Sequence, residues 1–134
     1  MFCSRQARQL LIAVACLALP VFGTPAAGAG EVEVLAAKAR LVKAGAPPVW
    51  RFDVTLRHAD AGWNHYADNW EILAPDGALL GRRVLAHPHV GEQPFTRGLG
   101  GVAIPAGVTQ VRIRGHDKLR GYGGKELVIA LPQD

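Results

Sequence analysis

Histidine is the residue type with most chemistry to offer in this chain, and His58, His65, His87, His89 and His116 are all five of them. Only Pro88 separates His87 from His89; it biases His87 toward extended geometry, and residues two apart on an extended chain project to the same side. Two imidazoles so placed can share one ion. A third ligand can come from His58, His65 or His116, with Asp60, Asp68 or Asp117 as a carboxylate ligand or as the acceptor that orients a ligating ring. Imidazole and carboxylate without sulfur suit Zn(II) or Cu(II) and suit Cu(I) poorly. The expected cofactor is therefore Cu(II) or Zn(II), held for binding, delivery or sensing rather than turnover, and no enzyme is expected.

Sulfur is missing because of where it lies. Cys3 and Cys16 are the only cysteines, Met1 the only methionine and Ser4 the only serine, and all four precede residue 30. That stretch reads as a cleavable secretory signal over residues 1–29: Arg5 and Arg8 with no acid, an apolar run from Leu10 to Gly23, then small residues with an A-x-A site at Ala27 and Ala29. The run is shorter than the roughly 20 residues needed to span a bilayer, and Pro20 interrupts it, so no transmembrane segment is expected in the mature chain. The working domain is then a single one, residues 30–134, periplasmic or secreted. Lipidation of Cys16 is the alternative, against a poor lipobox in Ala13-Val14-Ala15.

Removing the signal also limits the chemistry. The domain has no disulfide and no serine or cysteine nucleophile. Thioether-linked haem, iron–sulfur clusters and blue copper all need cysteine and are excluded. Two of the 15 basic residues lie in the signal, leaving 13 against 11 acids, so a nucleic-acid partner gains little from charge. Gly98-Leu99-Gly100 precedes a strand rather than a helix, and Gly124-Lys125 lacks the Ser or Thr of a phosphate loop.

The elements that must position the histidines are strands. Trp50, Phe52, Val54 and Leu56 alternate with Arg51, Asp53, Thr55 and Arg57, the period of a strand with one buried face. Further strands are expected at 31–42, 66–74, 78–86, 99–104, 108–115 and 125–131. They are punctuated by Ala46-Pro47-Pro48, Pro75-Asp76-Gly77, Pro105-Ala106-Gly107 and Gly121-Tyr122-Gly123-Gly124. The expected fold is all-β, an antiparallel immunoglobulin-like β-sandwich of about seven strands. Consecutive strands reverse, so alternate connections gather at each end. All five histidines fall at one end, together with Asp60, Trp63, Tyr66, Asp68, Glu92, Arg97, Asp117 and Tyr122.

The same residues support a plainer reading. Loops between short strands need polar side chains for their backbone groups, and histidine serves while packing its ring. His58, on the apolar face of its strand by parity, is then a satisfied core histidine; His65 caps a turn, and His87 and His89 pair with Glu92 or Asp117. On that alternative the rim, with Trp63, Tyr66 and Arg97, is a non-enzymatic module that docks an envelope protein or a saccharide. Trp70 is expected to fill the core.

Three segments carry a resemblance: Gly62–Trp70 (GW-x-HYAD-x-W), His87–Arg97 (HPH-x-x-EQPFTR) and Gly115–Gly124 (GHDKLRGYGG). They are similar to a group of small exported bacterial proteins of unassigned function. All three segments are connections at the histidine end, and the resemblance puts the emphasis there.

Overall fold

The structure is a computed structural model that describes residues 31–133; the proposed signal and Cys16 lie outside the described residues. Seven strands follow in order: β1 (Glu33–Lys43), β2 (Val49–Arg57), β3 (Ala67–Leu73), β4 (Leu79–Val84), β5 (Phe95–Ala103), β6 (Gln110–Asp117) and β7 (Leu127–Ala130). All pairings are antiparallel, in a three-stranded sheet β1-β2-β5 and a four-stranded sheet β4-β3-β6-β7. The chain is an all-β sandwich, as its alternation predicts.

Parity places the core. Trp50, Phe52, Val54 and Leu56 are the buried face of β2, and Trp70 and Ile72 of β3 with Val111 and Ile113 of β6 face them from the other sheet. Apolar side chains on one face of each sheet leave water together, and the whole of Trp70 sits in that layer.

One pairing departs from the constant-type immunoglobulin arrangement, in which the fourth strand joins the sheet of the first two. Here β4 pairs with β3. The cause is the shortness of their connection: Gly77, with φ of 90°, closes a tight turn by donating its N–H to the Ala74 carbonyl at 2.8 Å, while the Asp76 carboxylate accepts from Ala78 N at 3.0 Å. Strands joined so tightly pair with each other.

The β2–β3, β4–β5 and β6–β7 connections meet at one end. Ala67, opening β3, lies opposite Asp117, closing β6, and Leu85 N donates to the Asp68 carbonyl at 2.8 Å. The chain enters β1 at this end too, because Glu33 is opposite Arg57, the last residue of β2. Gly124 packs against the Val32 backbone so closely that a Cβ there would overlap it. Gly124→Ala is therefore expected to cost about 1–3 kcal/mol, lowering the thermal midpoint by roughly 4–8 °C per kcal/mol in a domain of this size, as read by circular dichroism.

Candidate metal centre

Beyond β2 the alternation continues: Leu56 points in, Arg57 out and His58 in, so the His58 ring is buried at the end of the core. Asp60 repeats the parity. Its Oδ1 lies 2.5 Å from His58 Nδ1 and accepts Ala67 N at 3.0 Å, and its Oδ2 accepts His89 N at 2.7 Å. One buried carboxylate thus ties the end of β2 to the start of β3 and to the β4–β5 connection.

Asp117 arrives from β6. Val111, Ile113, Gly115 and Asp117 alternate inward, and Asp117 is fully buried. Its Oδ1 accepts Leu119 N at 2.7 Å and Arg120 N at 2.9 Å, which leaves Oδ2 facing the histidines: 2.6 Å from His58 Nε2 and 2.7 Å from His65 Nε2. His65 sits on a turn closed by His65 N to the Gly62 carbonyl at 3.1 Å, and its side chain is 23% exposed. The two rings meet edge to face, with centroids 5.1 Å apart.

His58, His65 and Asp117 therefore form a group that could hold a metal ion, with one ligand atom from each and all three within 4.8 Å of one another. An ionised carboxylate only accepts hydrogen bonds, so the Nε2 atoms of His58 and His65 are the donors to Asp117. An ion among the three atoms would replace the protons on the two Nε2 atoms, while His58 Nδ1 kept its hydrogen bond to Asp60. Burial pushes the Asp117 carboxyl up, but the Arg120 N–H, His58, the Leu119 N–H and His65 outweigh it and hold it below the ordinary carboxylate value.

The remaining histidines have other partners. His116 neighbours Asp117 on β6 and so faces the opposite side of the sheet, where its Nδ1 lies 2.6 Å from Asp68 Oδ1 and its ring meets Tyr122 edge to face at 4.7 Å. His87 and His89 do project together, with centroids 4.6 Å apart. His89, however, lies flat on Phe95 at 4.0 Å, and its Nε2 faces the Arg97 guanidinium at 2.8 Å. A cation already occupies that nitrogen. Burial, with Arg97 and His87 beside it, holds the His89 imidazole below its ordinary value, keeping it neutral. His87 is exposed, its Nδ1 against the Pro88 carbonyl at 3.1 Å. The metal-capable group thus contains His58, His65 and Asp117, with Asp60 orienting His58, and does not include His87, His89, His116 or Asp68.

Of the rim residues, Trp63 is exposed and packs edge to face on the buried Tyr66 at 6.0 Å, while Arg97 serves His89 and donates to the Thr96 carbonyl at 2.8 Å. A second polar cluster, on the outer face of the four-stranded sheet, was not foreseen from the sequence. Buried Glu71 accepts from Arg82 at 2.5 and 3.0 Å, from Arg114 at 2.8 Å and from the Tyr122 hydroxyl at 2.7 Å, and Arg114 lies 3.7 Å over the Tyr122 ring. Only the registers reveal it, setting Glu71 opposite Arg82 on β4 and Arg114 on β6. Burial pushes the Glu71 carboxyl up; Tyr122, Arg82 and Arg114 together pull it below the ordinary value.

No protein-family model matches the chain, and no solved structure matches it. A Halomicrobium mukohataei protein named "Putative lipoprotein" is 46% identical over 78 residues, which are 58% of this chain and 38% of that protein. The match thus spans less than two fifths of that relative's length. Among the described residues no helix is long and apolar enough to cross a membrane.

His89 and Glu71 both hold fewer protons folded than unfolded, so stability rises with pH through both windows. The His89 contribution is complete above about pH 6.5 and the Glu71 contribution above about pH 4.3, and each is lost as pH falls below its value. The expected thermal midpoint falls in two steps on acidification. Glu71→Gln should shrink the lower step, to which Asp117 also contributes, and His89→Phe, which keeps the stack on Phe95, should remove the upper; a midpoint flat from about pH 7 to about pH 2 would contradict both assignments.

Proposed function

We propose that this domain is an exported β-sandwich that binds one divalent transition ion, Zn(II) or Cu(II), through His58 Nε2, His65 Nε2 and Asp117 Oδ2, for binding, delivery or sensing. The carrying observation is the convergence of those three atoms at one buried point with the spare nitrogen of His58 on Asp60. A carboxylate behind a ligating imidazole fixes the ring and raises its basicity, an arrangement common around zinc. Two imidazoles and a carboxylate suit a borderline divalent ion. The partial exposure of His65 supplies a way in for an ion. Export is supported by the signal-like residues 1–29 and by the name of the Halomicrobium relative.

The alternative reading, an interaction module with structural histidines, is favoured by a specific observation: Asp60 and Asp117 each find hydrogen-bond donors for both oxygens within the protein. Thermal stability separates the two. On the metal reading, Zn(II) at one hundred times its dissociation constant stabilises the fold by about 2.7 kcal/mol, and EDTA reverses the gain; a midpoint indifferent to both supports the module.

Calorimetric titration locates the site. His65→Ala, which leaves the buried pair intact, should abolish stoichiometric Zn(II) binding, and Asp60→Asn should weaken it by about 10–100-fold. His87→Ala should leave it unchanged. Binding that survives His65→Ala and is lost with His87→Ala would move the site to the β4–β5 connection and refute the proposal.

A further inference from the structure

The buried network accounts for the inside of this end of the sandwich but not for its outside. Each of the three connections there lifts one large apolar side chain into solvent: Trp63 between β2 and β3, Val90 between β4 and β5, and Leu119 between β6 and β7, exposed by 62%, 61% and 66%. The tips are held together. Lys118 Nζ donates to the Trp63 carbonyl at 2.9 Å, joining the first connection to the third, and Asp60 takes the N–H of His89, the residue before Val90, joining the first to the second.

Charge surrounds these tips unevenly. Lys118 and Arg120 flank Leu119 and are exposed, and the ammonium of Lys118 lies beside Trp63. Asp60 in the first connection and Asp117 at the end of β6 are buried and engaged in the network, and the exposed acids of these three loops are Glu92 and Glu126, the latter paired with Arg112 at 3.5 Å. An apolar point with a basic collar matches an anionic lipid surface. Tryptophan settles at the headgroup level, lysine and arginine are drawn to anionic lipid, and buried apolar area adds to both.

The entry of the chain agrees in direction. Glu33 stands opposite Arg57 and is hydrogen-bonded to it at 2.6 Å, and Val34 N donates to the Lys125 carbonyl at 2.8 Å. Residues 1–30, with their apolar run Leu10–Gly23, therefore join the domain at the end that carries the tips. Where Cys16 is lipidated and the residues after it are kept as a tether, they would turn this end toward the bilayer.

We propose that the end bearing Trp63, Val90 and Leu119 docks on the surface of an anionic phospholipid bilayer. The docking rests on the loop tips and does not require the metal.

Trp63 is its own reporter, because Trp50 and Trp70 are buried. The full chain is mixed with vesicles of phosphatidylcholine, or of phosphatidylcholine with phosphatidylglycerol, carrying brominated acyl chains. Trp63→Phe identifies the emission that belongs to Trp63. Cosedimentation alone decides nothing, since the apolar run can bind vesicles by itself; quenching at Trp63 reports the tips. The expected result is quenching of the Trp63 emission that is severalfold stronger in the anionic vesicles, weakened by salt, unaffected by EDTA, and reduced severalfold by Val90→Ser with Leu119→Ser. Trp63 emission left unquenched, equal quenching in both lipids, or quenching untouched by the double substitution would overturn the proposal. Protection of Trp63 by a protein partner in the absence of lipid quenching would do the same.

Discussion

The line of contact from Asp60 through His58 to Asp117 holds the histidine end together. A buried carboxylate is costly unless its oxygens are occupied, and here they are, with donors drawn from distant parts of the chain. Asp60 collects the His58 ring, the first N–H of β3 and an N–H of the β4–β5 connection; Asp117 collects two N–H groups of the β6–β7 connection and both imidazoles. Sandwich strands can pair without specifying how their loops lie. This line specifies it, because moving any one connection strands a buried charge.

The outer face of the four-stranded sheet repeats the principle with a different donor set. Glu71 is buried among two guanidiniums and a phenol, and Tyr122, carried by the β6–β7 connection, brings that loop down onto the sheet. The loop is thus fixed from two sides, through Asp117 on the inner side and Tyr122 on the outer. Asp117 and His116 are adjacent in sequence yet serve opposite faces, a division that follows from the two-residue period of β6.

The strands were legible because each has one buried face: the period of Trp50–Leu56 alone predicts β2, and the six other predicted spans each contain or overlap a strand. The gathering of the histidines at one end followed from strand reversal. Their sorting within that end was legible only in part. Parity points His58 inward, and the same rule along β6 puts Asp117 inside and His116 outside. Spacing favoured His87 and His89 as a pair, and the pair exists, but Phe95 beneath His89 and Arg97 on its nitrogen come from β5. Local sequence contains no trace of a partner contributed by another strand, so a two-residue motif could not reveal that its ring was already engaged. Glu71 was missed for the same reason: its partners lie on β4, β6 and a loop.

The self-sufficiency of the network bears on what a bound ion would be for. A structural metal site leaves its ligands unable to satisfy one another when the ion is gone, and such domains unfold with the metal. Here, without an ion, the ligand atoms hydrogen-bond to each other at 2.6 and 2.7 Å, and the hydrophobic core between the sheets does not depend on them. Binding an ion would trade those hydrogen bonds and the protons within them for coordination, so its net gain is smaller than the coordination energy alone. If the proposed ion binds, a site built this way would favour one that comes and goes, with the partly exposed His65 on the path of exchange. On the proposed reading, that would suit a carrier or a sensor.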